Sequence, residues 1–169
     1  MISEKLFSAL NDQINFEFYS SYVYLAMASY CEDEDLAGFA NFFRVQAQEE
    51  LFHAMKMYDY VIEMDGKVTL EAIEKPENNY SSVIEAFKTA YSHEKIVTER
   101  IYKLTDIATE EREHATISFL KWFIDEQVEE EASFKGIIKQ LERSIENPAA
   151  LYMIDTNLSQ RTFTPPTNA

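Results

Sequence analysis

The sequence is short of every residue type that cross-links or punctuates a chain. Its one cysteine, Cys31, cannot close an internal disulfide, which excludes a disulfide-stapled scaffold and fits a reducing compartment, so the cytoplasm is the expected location. Three glycines and four prolines exclude collagen-like repeats and turn-rich β architecture. Basic residues are scarce as well. Fifteen Lys and Arg against 30 Asp and Glu leave a formal charge of −15, which repels phosphate backbones and anionic headgroups, so neither nucleic acid nor a membrane is an expected partner. Long apolar runs are missing: the longest, Tyr22 to Ala28, is far too short to cross a bilayer. The opening MISEKLFSALNDQ has an acid at Glu4 and no apolar stretch of the secretory kind.

What remains is 46% apolar and 27% charged, enough in 169 residues to bury one core. Apolar residues recur at alternating steps of three and four, the spacing that keeps side chains on one helix face. Four stripes show it. The first runs Leu10, Ile14, Glu17, Ser21, Tyr24, Ala28, Cys31; the second Leu36, Phe39, Phe43, Gln46, Glu50, His53, Met57, Tyr60, Met64. The third runs Val83, Phe87, Ala90, Glu94, Val97, Ile101, Leu104, Ala108; the fourth Thr116, Leu120, Phe123, Gln127, Glu130, Phe134, Ile137, Leu141. Each is apolar towards its ends and polar in the middle.

Breaks separate the stripes. Glu32-Asp33-Glu34-Asp35 makes a tight acidic turn in which Asp33 or Asp35 is expected to cap the next helix. Asp65-Gly66 ends the second helix, and Ser82 with Glu85 forms a capping box for the third. The roughly sixteen residues between could span about 50 Å, the height of a bundle, which permits a crossover. A third break falls at Thr109 to Arg112, and Asn147-Pro148 starts a short fifth helix. The expected fold is all-α: a single domain over 1–169, with a four-helix bundle (1–145), a long crossover between helices 2 and 3, a fifth helix (146–160) and a tail (161–169).

The polar interruptions are placed to meet. Residues equidistant from a helix-hairpin turn lie at equal height, and the midpoint of Glu17 and Glu50 falls between Asp33 and Glu34, while that of Glu94 and Gln127 falls between Glu110 and Glu111. Both midpoints lie inside their breaks. Packing the two hairpins side by side gathers Glu17, Glu50, Glu94 and Glu130 into one interior layer, with no Lys or Arg on the stripes to pair with them. Two divalent cations would balance four carboxylates, with His53 and Gln127 as neutral ligands, and Glu50-x-x-His53 puts two donors one helical turn apart. Oxygen-rich ligands with one imidazole and no thiolate suit iron or manganese, and redox chemistry favours iron. A polar layer that merely specifies register is the bland alternative. Tyr24, one heptad from Glu17, reads equally as a core aromatic and as a partner of a metal ligand. Glu49, Glu126 and Glu129 point about 100° off the stripes, either as a solvated face or as a third metal site on the flank. His93 and His114 lie off the stripes and read as surface residues.

With Glu17, Tyr24, Glu50-x-x-His53, Glu94, Gln127 and Glu130 in place, the chain resembles the non-haem bacterial ferritins over nearly its whole length. The resemblance implies a first iron at Glu17, Glu50 and His53, and a second at Glu50, Glu94 and Glu130 with Gln127 nearby. It also implies a site tyrosine at Tyr24 and a third iron at Glu49, Glu126, Glu129 and Glu130. The haem-binding relatives carry a second Glu-x-x-His and a methionine haem ligand, where this chain has Gln127-x-x-Glu130 and Phe52, so haem is not expected. A hollow 24-subunit shell of identical chains is implied too, as is ferroxidase activity: Fe(II) oxidised by O2 or H2O2 and laid down as Fe(III) mineral. Two rivals share much of the sequence evidence, a di-iron oxidase or peroxidase that stores nothing and a metal-free helical scaffold.

Overall fold

The computed structural model describes residues 2–166; Met1 and the last three residues of the expected tail, 167–169, lie outside the described residues. Five helices follow one another: α1 (Glu4–Asp33), α2 (Ala37–Glu63), α3 (Val83–Glu110), α4 (His114–Ser144) and α5 (Pro148–Leu158). α1 pairs with α2 and α3 with α4 as two hairpins, α1 packs on α3, and α5 seats against α2 and α4. No strand occurs among the described residues. No helix among them is long and apolar enough to cross a membrane.

Local chemistry explains most helix ends. The Ser3 hydroxyl accepts from the Leu6 N–H at 3.1 Å, Ser82 from Glu85 at 3.2 Å and Asn147 from Ala150 at 3.2 Å, with Pro148 opening α5. The capping box at α3 closes one residue early, because the Glu85 carboxylate accepts from the N–H of Ser81 at 2.5 Å. At their C-termini α1, α2 and α3 stop on a residue in the left-handed region: Asp35, Asp65 and Arg112, with φ of 57°, 61° and 57°. In each case the next N–H turns back to a carbonyl five residues upstream, Leu36 to Cys31, Gly66 to Val61 and Glu113 to Ala108. Gly66 therefore does not supply the left-handed residue. It is needed for close approach, since a Cβ there would lie 2.3 Å from the Phe7 ring.

The expected cap of α2 is not used. α1 continues through Asp33, Asp35 is spent on the turn, and Leu36 opens α2 with no side-chain hydrogen bond. The orphan N–H groups of Gly38 and Phe39 donate instead to Asp155 Oδ1 of α5, at 2.8 and 3.0 Å. Gly38 permits this seating, because a Cβ there would fall 1.7 Å from the Asp155 carbonyl oxygen. The α2–α3 connector is equally well fastened. Asn11 and Asn15, one turn apart on α1, donate to the carbonyls of Lys67 and Thr69 and accept from the N–H groups of Thr69 and Glu71, all between 2.6 and 3.0 Å. The crossover thus runs along α1 and carries the chain to α3.

Packing follows the stripes. One buried cluster takes Tyr24, Met27, Phe39, Phe43, Phe87 and Phe134; a second takes Leu6, Leu10, Ile14, Met57, Val61, Ile101, Leu120 and Phe123. In every helix of the bundle a buried glutamate falls between the two clusters, so the interior is two apolar plugs with an acidic layer sandwiched between them. The cap supplied by α5 predicts that Asp155→Ala lowers unfolding stability by about 1–2 kcal/mol, measured by denaturant titration of the assembled protein. An unchanged midpoint would show that the trans cap contributes nothing.

Candidate metal centre

The middle layer comprises Glu17, Gln46, Glu50, His53, Glu94, Gln127 and Glu130, every one of them buried. All four carboxylates expected from the stripes are there, at 0%, 1%, 0% and 6% exposure for Glu17, Glu50, Glu94 and Glu130. Ligand atoms of Glu17, Glu50 and His53 lie within 4.8 Å of one another. Two carboxylates and an imidazole gathered this closely are a donor set that could hold one cation. Opposite it, Glu94 receives a hydrogen bond from the Tyr24 hydroxyl and another from Gln127 Nε2 at 3.0 Å, while Glu130 receives one from Gln46 Nε2 at 2.7 Å. Tyr24 packs as a core aromatic, its ring stacked between Phe43 and Phe134, and its hydroxyl donates to the Glu94 carboxylate of the layer.

Three residues that the stripes did not flag hold the layer from outside. Gln13, buried at 1% exposure and one turn before Glu17, donates Nε2 to Glu17 Oε1 at 2.8 Å. Arg100 Nε donates to Gln13 Oε1 at 2.8 Å, which fixes the amide so that its NH2 faces Glu17. Arg100 is itself held by Asp12 at 2.5 Å and lies over the Phe16 ring. The spacing of Gln13 and Glu17 was readable in the sequence; the approach of Arg100 from α3 was not. His93 is the third, and it corrects the surface reading: its ring stacks on Phe16 at 5.3 Å, meets Tyr24 edge-on and reaches Ser20 Oγ at 2.7 Å. His114 is exposed.

Electrostatics mark the layer as short of positive charge. Both oxygens of Glu50 and Oε2 of Glu17 are buried with no hydrogen-bond partner, a state that costs several kcal/mol for an ionised group. Burial pushes the Glu50 carboxyl well above the usual carboxylate range, and the charges of Glu94, Glu17 and Glu130 push it further. Glu130 rises through burial and through Glu94 and Glu49, and Glu94 is raised to about 7 by burial against the restraint of Tyr24 and Gln127. Burial and the nearby Lys56 lower His53 to about 4, leaving a neutral imidazole with a free lone pair at neutral pH. Without cations, these acids hold protons that ligation would expel.

The flank acids are placed unevenly. Glu126 is half-buried and raised by burial and by its neighbours Glu129 and Glu49, and Glu129 is exposed. Glu49 is engaged by a cation of the chain itself, Arg161 Nη2 at 2.5 Å.

A stability profile follows from the raised carboxyls. The folded state keeps protons that the unfolded chain releases near pH 4.5, so their stabilisation is complete below that pH and drains as pH climbs through about 7 for Glu94, with Glu50 acting in the same direction. His53 and His93, lowered to about 4, act in the opposite sense only below about 6.5. Metal-free protein should accordingly lose stability as pH rises from about 4.5 towards about 7, by up to about 1.4 kcal/mol per pH unit for each retained proton, with the two histidines offsetting part of the loss below about 6.5. Thermal melts in chelator check this, with Glu50→Gln expected to flatten the slope; a flat wild-type profile would contradict the burial of these acids.

Comparison with known proteins agrees with this architecture. The ferritin-like domain family matches residues 7–144. A bacterial non-heme ferritin of Staphylococcus aureus is 46% identical over 163 residues, covering 96% of this chain and 98% of the relative. One of Staphylococcus saprophyticus is 44% identical over the same span. Among solved structures, an engineered closed form of the Archaeoglobus fulgidus ferritin superposes with a TM-score of 0.95 at 51% identity, covering 97% of this chain and 100% of that one. The open-pore ferritin of the same archaeon gives 0.95 at 49% identity, over 96% and 99%. With its stripes, crossover, fifth helix and buried acidic layer, this chain belongs to the ferritin family.

Proposed function

We propose that this protein stores iron, oxidising Fe(II) at the interior layer and depositing Fe(III) within a hollow assembly of its own copies. The observation that carries the reading is Glu50: a buried carboxylate, 3.5 Å from His53 Nδ1, whose oxygens receive no hydrogen bond from any amide or hydroxyl and which shares the layer with Glu17, Glu94 and Glu130. Such a group is built to bridge two cations. In this reading Glu17, Glu50 and His53 hold one Fe(II), and Glu50, Glu94 and Glu130 the other, with Gln127 beside it contributing no charge.

Each residue then has a task derived from its surroundings. His53 is already neutral and binds without losing a proton. Glu50, Glu94 and Glu130 release protons as Fe(II) arrives, so loading is coupled to pH. Tyr24 and Gln127 occupy the Glu94 carboxylate from outside and Gln13 occupies one oxygen of Glu17, which restricts how these groups turn towards a cation. Two Fe(II) ions give up one electron each, and the pair reduces O2 to peroxide, or peroxide to water. Oxidation adds two positive charges to a site where Gln127 contributes no negative charge, which favours onward movement of Fe(III) once water-derived anions join it. On the flank, Glu49, Glu126, Glu129 and Glu130 supply a third position on the way out.

Assembly has support on the outside of the bundle. Tyr22 and Leu25 on α1, at 49% each, and Leu70 and Ile73 in the crossover, at 61% and 49%, leave apolar surface that burial against another copy would remove. A 24-subunit cage in the cytoplasm is the arrangement this reading adopts.

Anaerobic protein mixed with Fe(II) and then air tests the proposal. The Glu50→Ala, His53→Ala double variant is expected to slow oxidation by about tenfold or more, towards the rate of free Fe(II). Wild-type particles should retain far more iron than their side chains can ligate. Unchanged oxidation in the variant would remove the layer from the chemistry, and saturation near two irons per subunit would identify an oxidase that stores nothing.

A further inference from the structure

The C-terminal segment after α5 doubles back along α2. Asn41 Nδ2 donates to the carbonyls of Leu158 at 3.0 Å and Arg161 at 2.9 Å, which pins the backbone of the tail to the start of α2. From there the Arg161 guanidinium lies over the Phe42 ring, 4.3 Å from its centroid, and donates Nη2 to Glu49 Oε2 at 2.5 Å. Two residues on, Phe163 rests against Phe52, with ring centroids 6.2 Å apart. Both charged partners are only 25% exposed.

That contact puts a unit positive charge on the acidic flank of the bundle. The field of Arg161 reaches Glu130, the carboxylate shared between the layer and the flank, as does that of Glu49, and Glu49 in turn bears on Glu126. The guanidinium is seated without being satisfied. Nη1 is buried and has no acceptor, so one carboxylate oxygen and one aromatic face hold a group that offers five donors. A divalent cation at the same carboxylates would bring twice the charge and would repel the guanidinium at short range.

We propose that Arg161 is a tethered counter-ion for the flank carboxylates, displaced from Glu49 when a divalent cation binds there, so that the C-terminal tail sets the affinity of the third site. The inference rests on the flank reading given under the proposed function. It assigns to the tail a part in metal handling that is separate from the ligands: it lowers third-site affinity relative to the interior pair and returns a positive charge to Glu49 when the ion leaves.

Zinc, which is redox-inert and takes the same oxygen and nitrogen donors, is the probe. Calorimetric titration of iron-free assembled protein with Zn2+ is expected to resolve a tight pair and a weaker third ion per subunit. Arg161→Gln should tighten the third ion by about twofold to fivefold, the range of a partly exposed ion pair, and leave the first two unchanged; Arg161→Lys, which keeps the charge, should resemble wild type. A third ion of equal affinity in wild type and Arg161→Gln would overturn the counter-ion and leave the flank site standing. Absence of a third ion from both would overturn the two together. A crystal structure of the zinc-loaded wild type decides independently of how the variants fold: the guanidinium is expected away from Glu49, and a zinc ion on the flank with Arg161 still paired to Glu49 would refute displacement.

Discussion

Everything in this molecule is arranged around four carboxyl groups held in the middle of an apolar bundle with no Lys or Arg among them. An ionised acid in such a place is unstable by several kcal/mol unless something positive joins it. The neighbours of the layer answer this only at the edges: Gln13, Gln46, Gln127 and Tyr24 each donate a hydrogen bond to one oxygen. Glu50, at the centre, receives none. Protons or cations must fill the deficit, and the competition between them links metal uptake to pH and to stability.

The two apolar plugs are what make that competition sharp. Tyr24, Phe43 and Phe134 close the layer on one side, and Ile14, Met57 and Phe123 close it on the other. Because they exclude water, the acids cannot lower their energy by hydration. Because the plugs engage all four helices, the ligands are fixed to rigid elements and to a common height. The crossover serves the same end: by fastening to Asn11 and Asn15 it returns the chain so that α3 can deliver Glu94 opposite Glu17.

How much of this was legible beforehand depended on the range of the interaction. Stripes of three-and-four spacing report which side of a helix is buried, and every layer residue they named, from Glu17 to Glu130, is buried. The hairpin midpoints then supplied the heights. Caps made within a few residues, at Ser82 and Asn147, were equally readable. Asp155 capping α2 was not, since it joins residues 117 apart, and Asp35 looked like a cap because its use in a left-handed turn leaves no mark on periodicity. Arg100 behind Gln13 and Arg161 on Glu49 escaped for the same reason: long cations reach from a neighbouring element, and a stripe records only its own helix. His93 sits off the α3 stripe yet half-buried, because α1 turns Phe16 and Ser20 towards it.

The assignment of the layer to two metal ions is tested most directly by anomalous diffraction at the iron edge from crystals soaked anaerobically in Fe(II). The account predicts two peaks per subunit within bonding distance of Glu50, one shared with Glu17 and His53 and the other with Glu94 and Glu130. A layer with no peak, its acids still buried and protonated, would contradict it.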